Sequence, residues 1–301
     1  MDRVLFAKGA VGRIVRRIQE QLGFVAPHAD GWYGDDTHDA VLAFQQAHAL
    51  PASGEVDTAT WTAIMGVPVP SVEDRSLQLT AHFEGNDFTL AQGNFDGAGI
   101  TWGIIGFTLK DGEIGSVVQE ISDKRPELLQ EAFGSLAGDL VALVKRPWPE
   151  QLAFADSISV GKNKVLGEPW LTSFRRFGEI ADVQAVQLER VKVDYTDPAD
   201  KAAAKWGLTS ELGRALAFDI QVQNGGIKDA ARATINAALK GKAPPPEAEL
   251  RAIIANAVAD ASATKWREDV RTRKTTIATG VGEVHRWKYV LRNWGLQELS
   301  A

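Results

Sequence analysis

The fold of this chain is decided by one glycine-spaced stretch, Asn94-Phe95-Asp96-Gly97-Ala98-Gly99-Ile100-Thr101-Trp102-Gly103-Ile104-Ile105-Gly106-Phe107. Asp96 opens a Gly-rich turn, a position that suits Asp because its side chain can bond the backbone of the turn. The residues after the turn alternate as in a strand, which predicts Trp102 on one face and Thr101 on the other. The sequence therefore predicts a β-hairpin near residues 97–109.

A short amphipathic helix is predicted just before this stretch, ending at Glu84. One face of it carries residues spaced i, i+3, i+4 and i+7, namely Leu77, Thr80, Ala81 and Glu84. Asp74 is expected to cap the helix and Gly85 to end it. Glu84 is thus expected beside the core, where partial desolvation and the helix dipole would raise the pKa of its carboxyl group.

Two carboxylates in different environments are what hydrolysis of a glycosidic bond requires. One protonates the leaving oxygen, and the other activates water or attacks the anomeric carbon. Glu84 suits the first role, and Asp96 suits the second because water and backbone N–H groups in its turn keep it ionised. The glycines of the strand remove side chains, which would let a bulky polymer lie against the backbone. In the structural alternative, Asp96 only makes a turn and Glu84 is a solvated helix end.

The stretch from Glu84 to Phe107 resembles the catalytic segment of the family-46 chitosanases and of the wider lysozyme-like superfamily. Their pattern Asp-Gly-x-Gly-x-Thr-x-Gly-x-Ile-Gly-Phe is matched from Asp96 to Phe107. The resemblance implies that Glu84 is the general acid, that Asp96 is the general base, and that Thr101 helps to hold the attacking water. The chain departs from the family in a shorter spacing between acid and base and in Ala98, where Arg is typical. The resemblance therefore implies the type of bond and leaves the polymer open.

A second pattern occupies the N-terminus and consists of Asp30-Gly31-Trp32-Tyr33-Gly34-Asp35-Asp36-Thr37, Ala40-Val41-x-x-Phe44-Gln45 and Gly54-Glu55-Val56-Asp57-x-x-Thr60-Trp61. Apolar stripes at helical spacing predict two helices here, and Asp57 is expected to cap a third. The pattern resembles the small three-helix peptidoglycan-binding domain. Trp32, Tyr33 and Gln45 are candidates for exposed contacts with the cell wall, since aromatic faces and amides suit sugars and peptides.

The segment Gly66-Val67-Pro68-Val69-Pro70-Ser71 is predicted to be a linker, because two prolines favour an extended spacer. We expect a peptidoglycan-binding domain at 1–66, a linker at 67–73 and a lysozyme-like glycoside hydrolase domain at 74–301. Helical periodicity dominates the last of these. The predicted fold class is mainly α, with a small three-helix bundle followed by a larger lysozyme-like helical domain that holds one small β-hairpin.

Composition excludes several classes of protein. The chain has 301 residues, a net charge of −6 and no cysteine, which excludes disulfides and thiol catalysis and argues against a nucleic-acid binder. The five histidines include no pair at i, i+4, so we expect no metal site and no cofactor. No run of eighteen apolar residues exists, and the N-terminus lacks the basic start and apolar core of a signal peptide.

Three further features have two interpretations each. The amides of Gln223 and Asn224, near the end of a predicted helix, suit hydrogen bonds to a sugar, but they also suit a capped helix end. Trp102 suits stacking on a sugar ring, but it also suits the core. Residues 265–292 hold eight basic and three acidic side chains with tryptophans interleaved. These basic C-terminal helices suit contact with anionic envelope lipids, or they form a solvated face whose tryptophans pack inward.

Together, the two resemblances imply a modular peptidoglycan hydrolase like the phage endolysins, which holds the cell wall through its N-terminal domain. We expect a monomeric, inverting muramidase, made in the host cytoplasm without a signal peptide and acting on periplasmic peptidoglycan. The alternatives are a lytic transglycosylase, a chitosanase with an accessory binding domain, and a non-catalytic cell-wall-binding protein. A transglycosylase would need Glu84 but not Asp96 as a water activator.

Overall fold

The computed structural model describes residues 3–85 and 87–299. The expected mainly helical fold is confirmed. The helices are α1 Arg13–Gln21, α2 Asp35–Ala47, α3 Thr58–Met65, α4 Val72–Glu84, α5 Glu113–Lys124, α6 Pro126–Phe133, α7 Ala137–Leu143, α8 Trp148–Ser157, α9 Trp170–Glu179, α10 Ala181–Val191, α11 Asp197–Trp206, α12 Glu211–Asn224, α13 Asp229–Leu239, α14 Glu247–Asp260 and α15 Arg267–Thr279. Short 3₁₀ helices occupy Gly134–Leu136, Thr264–Trp266 and Leu291–Trp294. A π-helical segment occupies Lys192–Thr196.

The strands are short, and every pair of neighbouring strands is antiparallel. They are β1 Val4–Phe6, β2 Val56–Asp57, β3 Ala91–Gln92, β4 Thr101–Trp102, β5 Phe107–Thr108, β6 Ser159–Val160, β7 Val165–Leu166, β8 Val281–Val284 and β9 Trp287–Val290. They form the sheets β1-β2, β3-β4-β5, β6-β7 and β8-β9. The predicted hairpin near residues 97–109 is β4-β5, and β3 adds a third strand to it. The additional sheets are made of strands too short to show a period of two in the sequence.

Helix α4 begins three residues earlier than the expected cap at Asp74 implies. Ser71, and not Asp74, caps it: the Ser71 hydroxyl accepts a hydrogen bond of 3.1 Å from the Asp74 backbone N–H. The Asp74 carboxylate in turn accepts from the backbone N–H of Ser71 at 3.3 Å. This reciprocal pair is a capping box, which satisfies two N–H groups at the helix start. Gly85, with φ of +68°, follows the last helical residue as expected.

The N-terminal region contains the expected three helices, α1 to α3. Asp57 caps α3 as predicted, accepting a bond of 2.7 Å from the Thr60 backbone N–H. The β1-β2 pair was not expected; it joins the start of the chain to the residue that caps α3. Residues 67–71 have no regular secondary structure. The Trp61 indole holds this segment by donating to the carbonyl groups of Val67 and Pro68, at 2.9 and 3.2 Å.

The chain divides into two compact units that differ from the modules predicted by sequence. Among the described residues, 3–83 and 195–299 form one unit, and 84–194 form the other. Within the first unit, the C-terminal segment packs on the N-terminal region: Arg292 pairs with Glu55 at 2.9 Å, and Asn293 donates to the Lys8 carbonyl at 2.8 Å. The boundaries 1–66, 67–73 and 74–301 stay a prediction about sequence modules.

No helix in the described part of the chain is long and apolar enough to cross a lipid bilayer.

Candidate active site

Asp96 lies exposed at the tip of a tightly anchored loop. Its carboxylate accepts a hydrogen bond of 3.0 Å from the Ala98 backbone N–H, which makes the expected turn. Asn94 anchors the loop from both sides: its Oδ1 accepts from the Gly99 N–H at 3.0 Å, and its Nδ2 donates to Asp156 at 3.0 Å. Sequence reasoning missed Asn94, because an asparagine two residues before an Asp-Gly turn gives only a weak local signal.

The Asn94 anchor reaches a neighbouring helix and hairpin within the same unit. Asp156 belongs to α8 and also accepts a hydrogen bond of 3.2 Å from Lys164. The hydrogen bonds from Asn94 and Lys164 together lower the pKa of the Asp156 carboxyl group. The backbone N–H of Asn94 donates to Ser159 Oγ at 2.8 Å, which ties the loop to β6. The loop around Asp96 is thus fixed before any substrate binds.

Thr101 lies on β4, five residues after Asp96 in the chain, and is buried with 9% of its surface exposed. Its hydroxyl group has no hydrogen-bond partner among residues 3–85 and 87–299. Buried hydroxyl groups are nearly always bonded. Thr101 is therefore the kind of side chain that a bound water or substrate would satisfy.

Trp102 is a core residue, so the expectation that it stacks on a sugar was wrong. Its side chain is fully buried, and its indole donates to the Phe174 carbonyl at 2.9 Å. Its ring stacks on Phe177 with centroids 5.2 Å apart. Alternation along β4 places Trp102 inward, as the second interpretation had it.

We expected the glycines of the stretch to leave space for a polymer. At two of them, Gly99 and Gly103, other side chains of the protein occupy that space. Gly103 has φ of +88°, and a Cβ there would lie 2.4 Å from Gln187 Oε1. Gly99 has φ of +82°, and its Cβ would lie 3.2 Å from the Leu109 side chain. Gln187 is buried and accepts a bond of 3.0 Å from the Ile104 N–H. Gln187 lies far from the motif in the chain, so no local pattern predicted its contact with the motif.

Glu84 is the last residue of α4, and its side chain is exposed. The expected partial burial was wrong. Leu77 and Thr80 of the same face are buried, but Glu84 lies one turn further on, at the end of the helix. The side chain therefore lies at the surface, where a substrate can reach it.

A buried cluster of charged side chains holds α4 at Thr80, one turn before Glu84. Asp219 of α12 accepts hydrogen bonds from Thr80 at 2.9 Å, Arg273 at 2.7 Å and Lys274 at 2.5 Å. All four side chains are buried. Burial alone would raise the pKa of Asp219, but Arg273 and Lys274 hold it well below its usual range. The ionised Asp219 therefore joins α4, α12 and α15.

Gln223 and Asn224 lie at the end of α12, in the first unit. The Gln223 amide accepts from Lys274 at 2.6 Å and donates to Asp269 at 3.3 Å, so it has a structural role. Asn224 Oδ1 is buried and has no hydrogen-bond partner within the described residues. Contact of either side chain with a sugar stays a prediction.

The family model for glycosyl hydrolase family 46 matches residues 78–278. The chain belongs to glycosyl hydrolase family 46. It is thus a glycoside hydrolase, and the match includes Glu84, Asp96 and Thr101. The roles of these three residues remain those that the family resemblance implies.

Solved structures of chitosanases resemble this chain at low identity. A Gynuella sunshinyii GH46 chitosanase in complex with chitotetraose has 20% identity and a TM-score of 0.48, covering 71% of this chain and 88% of its own. A native Bacillus subtilis MY002 chitosanase has 19% identity and a TM-score of 0.46, covering 68% and 85%. Comparison with curated protein sequences gives no match. Family membership rests on the sequence match.

The model for a peptidoglycan binding domain matches residues 12–64, so this family-46 chain is modular. Two of the three residues expected to be exposed on this domain are buried. The Tyr33 hydroxyl donates to the Gly54 carbonyl at 2.8 Å, and the Gln45 amide donates to the Glu55 carbonyl at 2.8 Å. Both side chains are 0% exposed, so neither can contact the wall. Trp32 is 53% exposed and stays a candidate.

The basic segment 265–292 makes most of its contacts inside the protein. Arg273 and Lys274 bind Asp219, Arg271 pairs with Asp260 at 2.7 Å, and Arg292 pairs with Glu55. Its tryptophans, Trp266 and Trp287, are about half exposed, whereas Trp294, just after the segment, is buried. Contact with anionic lipids stays a prediction.

The described residues contain no group of three or more acidic or histidine side chains that could hold a metal ion.

Proposed function

We propose that this family-46 enzyme hydrolyses the glycan strand of bacterial peptidoglycan. The observation that carries the proposal is the presence in one chain of a peptidoglycan binding domain, residues 12–64, and a family-46 domain, residues 78–278. A binding domain for a polymer raises the local concentration of that polymer at the catalytic site. Cleavage of the bond after N-acetylmuramic acid, as in a muramidase, is the proposed specificity.

In the proposed mechanism, Glu84 and Asp96 divide the work of acid and base. Glu84 donates a proton to the glycosidic oxygen as the bond breaks. Asp96 removes a proton from a water molecule, which attacks the anomeric carbon from the opposite face, and Thr101 holds that water through its hydroxyl. The configuration of the anomeric carbon is inverted, as is usual when two carboxyl groups lie roughly 6.5–9.5 Å apart with water between them.

Two features support these roles. The Asp96 carboxylate is exposed on a loop that Asn94 holds in place, and general bases act best when their position is fixed. The Thr101 hydroxyl is buried, and no described residue bonds it. It lies on the strand that follows the Asp96 loop, five residues from the proposed base in the chain.

A chitosanase with an accessory binding domain is the second candidate, and family-46 membership itself favours it. The two candidates differ in the charge of their substrates. Chitosan is polycationic, whereas peptidoglycan carries free carboxylates on its stem peptides. The activity of one purified protein on the two polymers therefore distinguishes them.

The decisive experiment is mass spectrometry of fragments released from purified peptidoglycan by wild type and by Glu84→Gln, with chitosan oligomers in parallel. Muropeptides with reducing N-acetylmuramic acid ends, absent with the variant, would establish the muramidase. Reducing N-acetylglucosamine ends would move the cut to the other bond. Cleavage of chitosan alone would establish the second candidate, and no products from either polymer would indicate a binding protein.

Asp96→Asn separates hydrolysis from transglycosylation. Under the proposed mechanism the variant loses the water activator and releases no fragments. Anhydro-muropeptides from wild type and from Asp96→Asn alike would instead show a lytic transglycosylase that needs only Glu84.

We further propose that the protein acts as a phage endolysin, made in the host cytoplasm and reaching periplasmic peptidoglycan after a membrane lesion forms. The pairing of a wall-binding module with a glycan hydrolase supports this role. Expression in a bacterial host with and without a co-expressed holin, followed by culture turbidity, tests it. Lysis that depends on the holin is expected, and lysis without it would contradict release through a lesion. Sedimentation velocity tests the proposed monomer.

A further inference from the structure

A groove of about 520 Å³ lies directly beside the Asp96 loop in the unit formed by residues 84–194. Its lining includes Gln92, Phe95, Lys162, Asn163, Lys164 and Val165. Phe95 is bonded to Asp96 in the chain, so the two Cα atoms are about 3.8 Å apart. A ligand in this groove therefore contacts the residue that directly precedes the proposed general base.

The groove is built from two elements that are locked together. One wall is β3 with the start of the Asp96 loop, and the other is the β6-β7 hairpin. The Asn94 N–H donates to Ser159 Oγ at 2.8 Å across them. A Cβ at Gly93 would lie 2.4 Å from the Lys164 carbonyl oxygen, so only glycine allows this close approach. The groove is thus formed in advance of binding, as ligand sites usually are.

Exposed apolar side chains in the groove suit the face of a sugar ring. Phe95 is 55% exposed and Val165 is 50% exposed. Together they give a sugar ring an apolar surface on which to pack. The amides of Gln92 and Asn163 beside them offer both donors and acceptors for hydroxyl and N-acetyl groups.

The charge of the groove is positive. Lys162 is exposed at the hairpin turn, and Lys164 is about half exposed. Lys164 also pairs with Asp156 at 3.2 Å, which leaves Lys162 as the stronger attraction for an anion. No carboxylate is among the described residues that line the groove. Such a surface attracts anionic substrates and repels polycationic chitosan.

We propose that this groove is a subsite that binds the carboxylate-bearing part of a peptidoglycan strand, with a sugar ring on Phe95 and a stem-peptide carboxylate on Lys162. This inference rests on the proposed function and adds the determinant of polymer choice. In it, Lys162 selects for the anionic polymer, while Phe95 holds the sugar next to Asp96.

The test compares kcat/KM on intact peptidoglycan with kcat/KM on peptidoglycan whose carboxyl groups have been amidated with carbodiimide. For wild type we expect a preference for the intact polymer. Lys162→Glu should lower that preference by about tenfold or more, because a charge-assisted contact becomes a repulsion. The effect should shrink in high salt, since exposed charges are screened. Phe95→Ala should raise KM on both polymers.

Lys145→Glu is the matched control, because Lys145 is exposed on the same unit but does not line this groove. It should leave the preference as in wild type. A Lys162→Glu enzyme that cleaves both polymers with the wild-type ratio would overturn the inference and leave the proposed function intact. A wild-type enzyme that cleaves chitosan and neither form of peptidoglycan would overturn both.

Discussion

Asn94 Oδ1 accepts a hydrogen bond of 3.0 Å from the backbone N–H of Gly99, and this bond closes the loop that carries Asp96. The same side chain donates to Asp156 on α8. A carboxylate on an exposed loop has many accessible positions, and a base is effective only when it is held at the reacting water. Asn94 is therefore a positioning residue, because it restricts where Asp96 can lie.

Asn94→Ala is expected to lower kcat by about tenfold to a hundredfold with little change in KM, because a loop shift of about 1 Å misplaces the base. The loss of these hydrogen bonds should also lower the free energy of unfolding by about 1–3 kcal/mol. Steady-state kinetics and urea denaturation measure the two effects separately. Asp156→Asn keeps an acceptor for Asn94 and should be milder. A normal kcat in a destabilised Asn94→Ala would show that the anchor serves only stability.

Gly103→Ala is expected to destabilise the fold by about 1–3 kcal/mol, because φ of +88° strains any residue with a Cβ. The new methyl group would also displace Gln187, whose oxygen lies 2.4 Å from the Cβ position. Gln187→Ala should cost about 1–3 kcal/mol as well, since it leaves the Ile104 N–H unbonded in the core. Thermal denaturation of both single variants and the double variant measures their coupling. Strictly additive losses would contradict the proposed contact.

The motif from Asp96 to Phe107 predicted the turn, the strand and their alternation, because all three depend on neighbouring residues. Thr101 and Trp102 were correctly placed on opposite faces, yet the sequence did not decide whether Trp102 faces substrate or core. That choice depends on Phe174 and Phe177, which come from a distant helix.

Dependence on distant partners also explains why Tyr33 and Gln45 were wrongly expected to be exposed. Aromatic and amide side chains look alike in sequence whether they bind a ligand or the protein's own carbonyl groups. Their partners, the carbonyls of Gly54 and Glu55, lie in a loop that carries no periodic signal. Anchors made by side chains far apart in the chain, such as Asn94 with Asp156, are likewise invisible before the fold is known.

Asp219→Asn is expected to lower the free energy of unfolding by about 3–5 kcal/mol at pH 7, because Arg273 and Lys274 would stay buried without a counter-charge. The folded-state pKa of Asp219 lies below its unfolded value, so its contribution is present above about pH 4 and is lost as the pH falls below that. Urea denaturation from pH 7 to pH 3 should therefore show a smaller loss of stability in the variant than in wild type.

Asp139→Asn is a control for that experiment, since Asp139 is exposed on α7. It should follow the wild-type pH dependence closely. Parallel curves for wild type and Asp219→Asn over the acid range would mean that the buried carboxylate does not stay ionised.

Trp32→Ala is expected to weaken binding to insoluble peptidoglycan by about tenfold while changing stability by at most about 0.5 kcal/mol, because an exposed indole contributes to contacts and little to the core. Tyr33→Phe is the matched control. It removes the buried bond to the Gly54 carbonyl, so it should cost about 1 kcal/mol of stability and leave binding unchanged. Co-sedimentation in a Glu84→Gln background keeps the polymer intact during the measurement. Equal sedimentation of Trp32→Ala and its parent would place the wall contact on another face of the domain. Loss of binding in Tyr33→Phe alone would mean that the fold around Gly54, and not the exposed indole, controls recognition.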